Sequence, residues 1–376
     1  PWVSSLTWFA MYWMPVAAAL MVLGILVWVR GVDTSVRVRR LNARLRARGG
    51  MGRALAGFAA LWVVVGSWVF YNTKVLNAYP PQRDGEAAQV AYETRYKEAW
   101  SGVPQPRAVS LEYGIDIFPE ERDLRARGSS VWTNVADTPI DTLFINVSRQ
   151  VEMSMEIPNA TLVREDEETA VQFWALEPAM QPGDSMTVTW TADYLTEGFE
   201  NQVRVTQISP NGTFFNNGFI TPSLGYETGQ EMQNRNERRK RGLPERPRMP
   251  DLRRDCGELC RDNYISDDAD WVTFETVIST SPDQIAVAPG SLEEEWEEGG
   301  RRYFRYVLDH PSLPFASFIS ARYEVAREEW EGVDVEVYYH PEHEYNVEKM
   351  LRSIRRSLDY NREQFGPYMH DQARII

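Results

Sequence analysis

The nine residues VSLEYGIDI, 109–117, decide how this chain is read. Val109, Leu111, Tyr113, Ile115 and Ile117 alternate with Ser110, Glu112, Gly114 and Asp116. Side chains along a strand point alternately to opposite faces, so a two-residue apolar period predicts a half-buried β-strand. The same period recurs at Met186, Val188, Trp190, Ala192 and Tyr194, and again at Val333, Val335, Val337 and Tyr339. Leu143–Val147, Val203–Ile208, Val272–Ile278, Tyr303–Leu308 and Phe315–Val325 add candidate strands between Pro, Gly and Asn turns. A mainly-β antiparallel sandwich over residues 103–330 is expected.

Upstream the pattern changes. Leu6–Val29 is an uncharged apolar run of 24 residues, and Ala54–Thr73 one of 20. At about 1.5 Å per residue each spans the ~30 Å hydrocarbon layer, so two N-terminal transmembrane helices are expected. Trp8, Trp28 and Trp68 lie near the ends of these runs, as interfacial anchors do. In the stretch 31–53 between them stand Arg37, Arg39, Arg40, Arg44, Arg46, Arg48 and Arg53 against Asp33 alone. Positive loops stay cytoplasmic, which places the loop 30–53 inside, on anionic headgroups, and the large domain outside. The expected location is a bacterial inner membrane with that domain in the periplasm.

Charge divides the chain the same way. Residues 1–77 carry a net +8, while the whole chain is −14 and residues 78–376 therefore −22. A strongly acidic outer piece repels nucleic acid and excludes it as a partner. The chain begins at Pro1, as a processed chain or a piece of a larger one does. Cys256 and Cys260 are the only cysteines, so at most one local disulfide is possible.

Residues 78–102 read as a membrane-proximal helical linker, with a polar helix over 84–100 that PQPR at 104–107 ends. Residues 226–262, rich in Arg and Pro, read as a long basic surface loop paired to the domain's own carboxylates. The acidic run 293–298 reads as a solvated face. Residues 331–376 give a strand and an amphipathic helix: Asn346 as N-cap, an apolar stripe of Val347, Met350, Leu351, Ile354 and Leu358, and a Gly366-Pro367 stop.

Chemistry is sparse. The four histidines are His310, His340, His343 and His370. His340-Pro-Glu-His343-Glu344 suggests a metal cluster, but a zinc peptidase helix needs His-Glu-x-x-His, and Val347 stands where the second His belongs. There is no Walker loop and no Gly-x-Ser-x-Gly elbow. No catalytic, cofactor-binding or metal-ligating residue is assigned and no cofactor is expected.

A set of segments resembles bacterial fusions of an ABC-type permease to an aminopeptidase N-like zinc metallopeptidase. They are YNTKVLN (71–77), LEYGIDIFPEERDLRARGS (111–129), NGTFFNNGFITPSLGYE (211–227), GLPERPRMP (242–250), NYISDDADWVTFETVISTSPDQIAVAPG (263–290) and FGPY (365–368). The resemblance implies that 1–77 matches the last membrane helices, that 103–330 is the N-terminal β-domain, and that 333–376 is only the first strand and helix of the catalytic domain. None of that family's zinc ligands finds a match in this sequence. On these residues the chain is expected to be a non-catalytic, membrane-anchored accessory or structural subunit, not an enzyme. Its helices and outer domain would contact other subunits of a membrane protein complex, energy-transducing or photosynthetic. The alternatives are a fragment of a membrane-bound zinc aminopeptidase and a remnant of an ABC-type permease.

Overall fold

The computed structural model describes residues 2–28, 35–77, 81–201, 207–246 and 268–376. Cys256 and Cys260, and with them the question of a disulfide, lie outside these residues. The chain forms two compact units, one of residues 1–81 and 196–206, the other of 82–195 and 207–376.

The smaller unit is helical. Helices α1 (Trp2–Val27) and α3 (Gly50–Phe70) hold the two apolar runs, and α3 continues into a π-helical turn, Tyr71–Leu76. Both are long and apolar enough to cross a membrane. Between them the arginine stretch forms a helix of its own, α2 (Val36–Ala47). Arg39 from α2 donates through Nε and Nη2 to the Val27 carbonyl, both at 3.3 Å, so a cation meets the negative end of α1. Phe199 inserts among Trp8, Phe9, Tyr12, Val65 and Val69. Gly198 lets it do so: its φ is +59°, and a Cβ there would stand 2.1 Å from Asn72 Oδ1.

The larger unit opens with α4 (Gln82–Trp100), which buries Ala88, Tyr92, Glu93 and Tyr96 on one face. The main sheet has seven strands in the order β12 (Ser291–Glu298), β13 (Arg301–Val307), β10 (Ala269–Thr280), β1 (Arg107–Phe118), β2 (Asp123–Thr133), β7 (Ser185–Tyr194) and β4 (Glu152–Glu156). All its pairings are antiparallel except β1 with β10. A four-stranded sheet runs β5 (Ala160–Asp166), β6 (Val171–Met180), β3 (Ile140–Asn146), β9 (Ser223–Leu224). A three-stranded sheet joins β11 (Ile285–Val287), β14 (Ser317–Ala321) and β8 (Thr213–Asn216). The expected architecture of two long apolar helices, a mainly antiparallel β-rich part and a C-terminal helix is the one observed.

The opening motif forms β1, with one departure. Leu111, Tyr113, Ile115 and Ile117 are buried, but Val109 is exposed and Ala108 is buried instead. The register slips between Ala108 and Ser110 against both neighbouring strands. Such a bulge inserts one residue and turns the side chains before it to the other face. The acidic run lies on β12, an edge strand. Glu295 and Glu294 pair there with Arg302 and Arg305 of β13, a charged edge that resists pairing with other chains.

The chain closes with a small mixed sheet, β15 (Glu324–Trp330), β16 (Val333–Tyr339) and β17 (Gln372–Ile375). Between β16 and β17 runs α6 (Val347–Phe365), and the two strands pair in parallel. Leu351 and Leu358 of α6 pack on Val335 and Val337 of β16 with Val347 and Ile354 against them, so the predicted stripe finds its cover on this sheet except at Met350, which is exposed. Asn346 makes no side-chain cap to α6, contrary to expectation. A 3-10 turn, Pro341–Asn346, runs straight into the helix, and His340 caps that turn by accepting from Glu342 N at 3.3 Å. Gly366 stops α6 at φ +105°, as the sequence predicts.

Candidate functional site

The buried chemistry of the larger unit gathers where α4 meets the segment 226–246. That segment was expected to be an exposed basic loop. Its described residues include a short helix, α5 (Arg235–Lys240), whose Arg238 is buried. Asn234 begins α5 by accepting from the backbone N–H groups of Asn236 and Glu237. This start aims Arg238 at α4. Its Nη1 and Nη2 donate to Glu93 Oε2 and Oε1 at 2.6 and 2.7 Å, a bidentate pair with both side chains 4% exposed. The remaining guanidinium donors reach the carbonyls of Met232 and Pro244. Burial pushes the Glu93 carboxyl up, but Arg238 and Lys97 outweigh it and hold it below its usual value.

Glu231 stands beside this pair. It accepts from Tyr226 Oη at 3.0 Å and pairs with Lys97 at 2.9 Å and Arg246 at 3.3 Å. Tyr92 stacks on Tyr226 with centroids 5.1 Å apart, and its hydroxyl accepts from the Glu227 N–H. Tyr92, Tyr96, Phe144, Val171, Phe173 and Tyr226 form one aromatic cluster with Trp100 against it. Arg235, Arg238, Lys240, Arg241 and Arg246 thus pair with the domain's own carboxylates.

A cavity of about 700 Å³ opens beside this network. Trp132, Trp190 and Leu111 line it from the main sheet, Tyr92 from α4, Asn146 from the end of β3, and Arg149, Asn217 and Thr221 from other segments. Asn217 donates to the Pro314 carbonyl at 3.1 Å and accepts from Ala316 N–H at 3.0 Å, and Thr221 Oγ1 meets Tyr113 Oη at 2.9 Å. Burial lowers the Arg149 pKa. The described lining holds amides, hydroxyls, indoles and carboxylates, with no His or Cys among them.

Asp166 ties α4 to the four-stranded sheet by accepting from Tyr96 Oη and Arg95. Burial acts to raise its pKa, but hydrogen bonds from Tyr96, Arg95 and Thr169 bring it down to about 2. A carboxyl depressed on folding stabilises the native state above its unfolded pKa of about 4, and that stability disappears as pH falls through the folded value. Urea midpoints of wild type and Asp166→Asn should therefore differ at neutral pH and converge near pH 2. A gap that widens on acidification would contradict the assignment.

The residues singled out in the sequence do not converge. Six of the seven arginines, Arg37 to Arg48, lie on or directly after α2, and Arg53 lies in the first turn of α3. Trp8 and Trp68 pack against each other at 5.8 Å, whereas Trp28 is exposed. His340 and His343 bring their rings within 5.3 Å, but His343 has non-helical backbone angles and the pair sits on the 3-10 turn. Two imidazoles one helical turn apart, as a zinc peptidase helix requires, are not formed by these residues. The catalytic zinc of such an enzyme does not fit them. His310 and His370 lie together elsewhere, against Asp309.

No protein-family model and no curated protein matches the chain. Among solved structures it is similar to an M1 zinc metallopeptidase from Deinococcus radiodurans, at 12% identity and TM-score 0.44 over 72% of this chain and 57% of that one. A mutant of an M1 zinc metallopeptidase from the same organism, bound to a Tyr-Ser-Ala substrate, matches at 13% identity and TM-score 0.44 over 73% and 57%. A two-domain M1 zinc metallopeptidase mutant bound to L-arginine matches at 13% and 0.44 over 72% and 57%. The chain thus spans 57% of the length of these structures.

These neighbours correct two expectations. The chain was expected to be a non-catalytic structural subunit of a membrane complex, and not an enzyme; the structures it is similar to are zinc peptidases. The missing His-Glu-x-x-His motif says only where zinc ligands are not, and does not by itself exclude an enzyme. They agree with the aminopeptidase-like half of the sequence resemblance and offer nothing for its permease half.

Proposed function

We propose that this chain is the anchoring and β-domain portion of a membrane-bound zinc aminopeptidase, whose catalytic zinc ligands lie in residues other than these 376. One observation carries the reading. Directly after the β-rich part, β16, α6 and β17 make a parallel strand–helix–strand crossover, the unit from which α/β domains are built. The sequence resemblance puts the start of a catalytic domain at the same residues. In this reading α1 and α3 cross a bacterial inner membrane as the last spans of a fused permease. The arginines of α2 rest on cytoplasmic anionic headgroups, and the β-domain stands in the periplasm.

Antibodies against residues 103–330 test the proposal in detergent extracts of native membranes. Immunodepletion should remove chelator-sensitive hydrolysis of aminoacyl arylamides together with the antigen. Activity that stays in the supernatant after the antigen has gone would contradict it.

A further inference from the structure

Apart from the peptidase reading, the larger unit brings three metal-ligating side chains together from distant parts of the chain. Asp309 and His310 follow β13, and His370 precedes β17. His370 Nδ1 stands 3.0 Å from Asp309 Oδ1, and His310 Nδ1 stands 3.4 Å from Asp309 Oδ2. One potential ligand atom from each residue can be chosen so that all three lie within 4.8 Å of one another. Donors bound tetrahedrally at about 2.1 Å are separated by about 3.4 Å, so only a small closure of the histidine rings is needed.

We propose that Asp309, His310 and His370 form a zinc site that clasps the loop after β13 to the segment before β17. Two imidazoles and a carboxylate are a borderline donor set suited to zinc. A site of three protein ligands leaves a fourth position for water, and the exposures fit this: the Asp309 side chain is 8% exposed, His310 47% and His370 37%. The carboxylate is held from behind, because Asp371 N–H donates to Asp309 Oδ2 at 2.8 Å and fixes its plane. A bare Asp–His hydrogen bond would account for one imidazole. Here two rings, edge to face at 5.9 Å, stand against opposite oxygens of one carboxylate. The site uses none of the residues of the Glu93 network, and β16 joins it through Asp334 N–H, which donates to the Asp371 carbonyl at 2.8 Å.

The test is calorimetric titration of zinc into the chelator-stripped 376-residue chain in detergent, with cobalt absorption as a second readout. One zinc should bind per chain, and cobalt should give the intense visible bands of a low-coordinate site with nitrogen ligands. His370→Ala also removes the hydrogen bond to Asp309. His310→Ala, at the more exposed ring, is the variant least coupled to folding. Each should weaken zinc by at least the roughly 10–100-fold that loss of a mere outer-shell partner costs. His343→Ala should leave binding unchanged. Absence of stoichiometric zinc in the wild type, wild-type affinity in His310→Ala and His370→Ala, or loss of binding in His343→Ala would each overturn the proposal.

Discussion

Glu93→Ala should lower the unfolding free energy by about 3–5 kcal/mol, the cost of stranding one member of a buried ion pair. The variant leaves the Arg238 guanidinium 4% exposed with two charge-assisted hydrogen bonds gone, and only the carbonyls of Met232 and Pro244 remain to it. Arg238→Ala should cost less, because Glu93 then keeps Lys97, 3.6 Å away, as a remaining cation. Glu93→Met combined with Arg238→Met should recover most of the loss, since burying two apolar side chains avoids desolvating two charges. Urea denaturation of the full chain in detergent, followed by far-UV circular dichroism, provides the midpoints. Single variants within about 1 kcal/mol of wild type, the range of exposed pairs, would show that the pair is solvated.

Trp190→Ala should cost about 3–5 kcal/mol, and its partner in the effect is a glycine. Tyr113, Gly128 and Trp190 stand in one row across β1, β2 and β7. The Trp190 ring lies over Gly128 so closely that a Cβ there would come within 2.1 Å of it. The indole is 3% exposed, meets Tyr113 edge to face at 6.2 Å, and donates from Nε1 to the Ile220 carbonyl at 2.8 Å. Gly128→Ala forces that ring out of place and should cost about 2–3 kcal/mol by overpacking. The two effects are coupled, because removing the indole removes the clash. The double variant should be more stable than the sum of the single losses predicts, by about 0.5–3 kcal/mol. Additive losses would mean that the ring does not rest on the glycine.

These two sites show what a single sequence reveals and what it hides. Period-two alternation locates β1, β7 and β16, since it follows from strand geometry alone. It does not reveal the bulge at Val109, because one inserted residue leaves the apolar composition unchanged. Nor does it reveal the Gly128–Trp190 contact, which depends on the register between two strands. The stripe of α6 is legible, because helical spacing is local. Glu93 and Arg238 are 145 residues apart, and Asp309 and His370 are 61 apart. Only the topology joins them, so Glu93 reads as part of a polar helix, Arg238 as part of a basic loop, and the two histidines as isolated residues. The signal that was available lies in α4: Ala88, Tyr92 and Tyr96 recur at four-residue spacing in a helix whose average is polar.

The proposed assignment makes these residues the anchor and β-domain of a larger zinc aminopeptidase. The intact mass of the protein purified from native membranes tests it most directly. A mass far above 43.3 kDa is expected, in a species that hydrolyses aminoacyl arylamides and loses that activity to chelators. A mass near 43.3 kDa, with no hydrolysis at any zinc concentration, would contradict it.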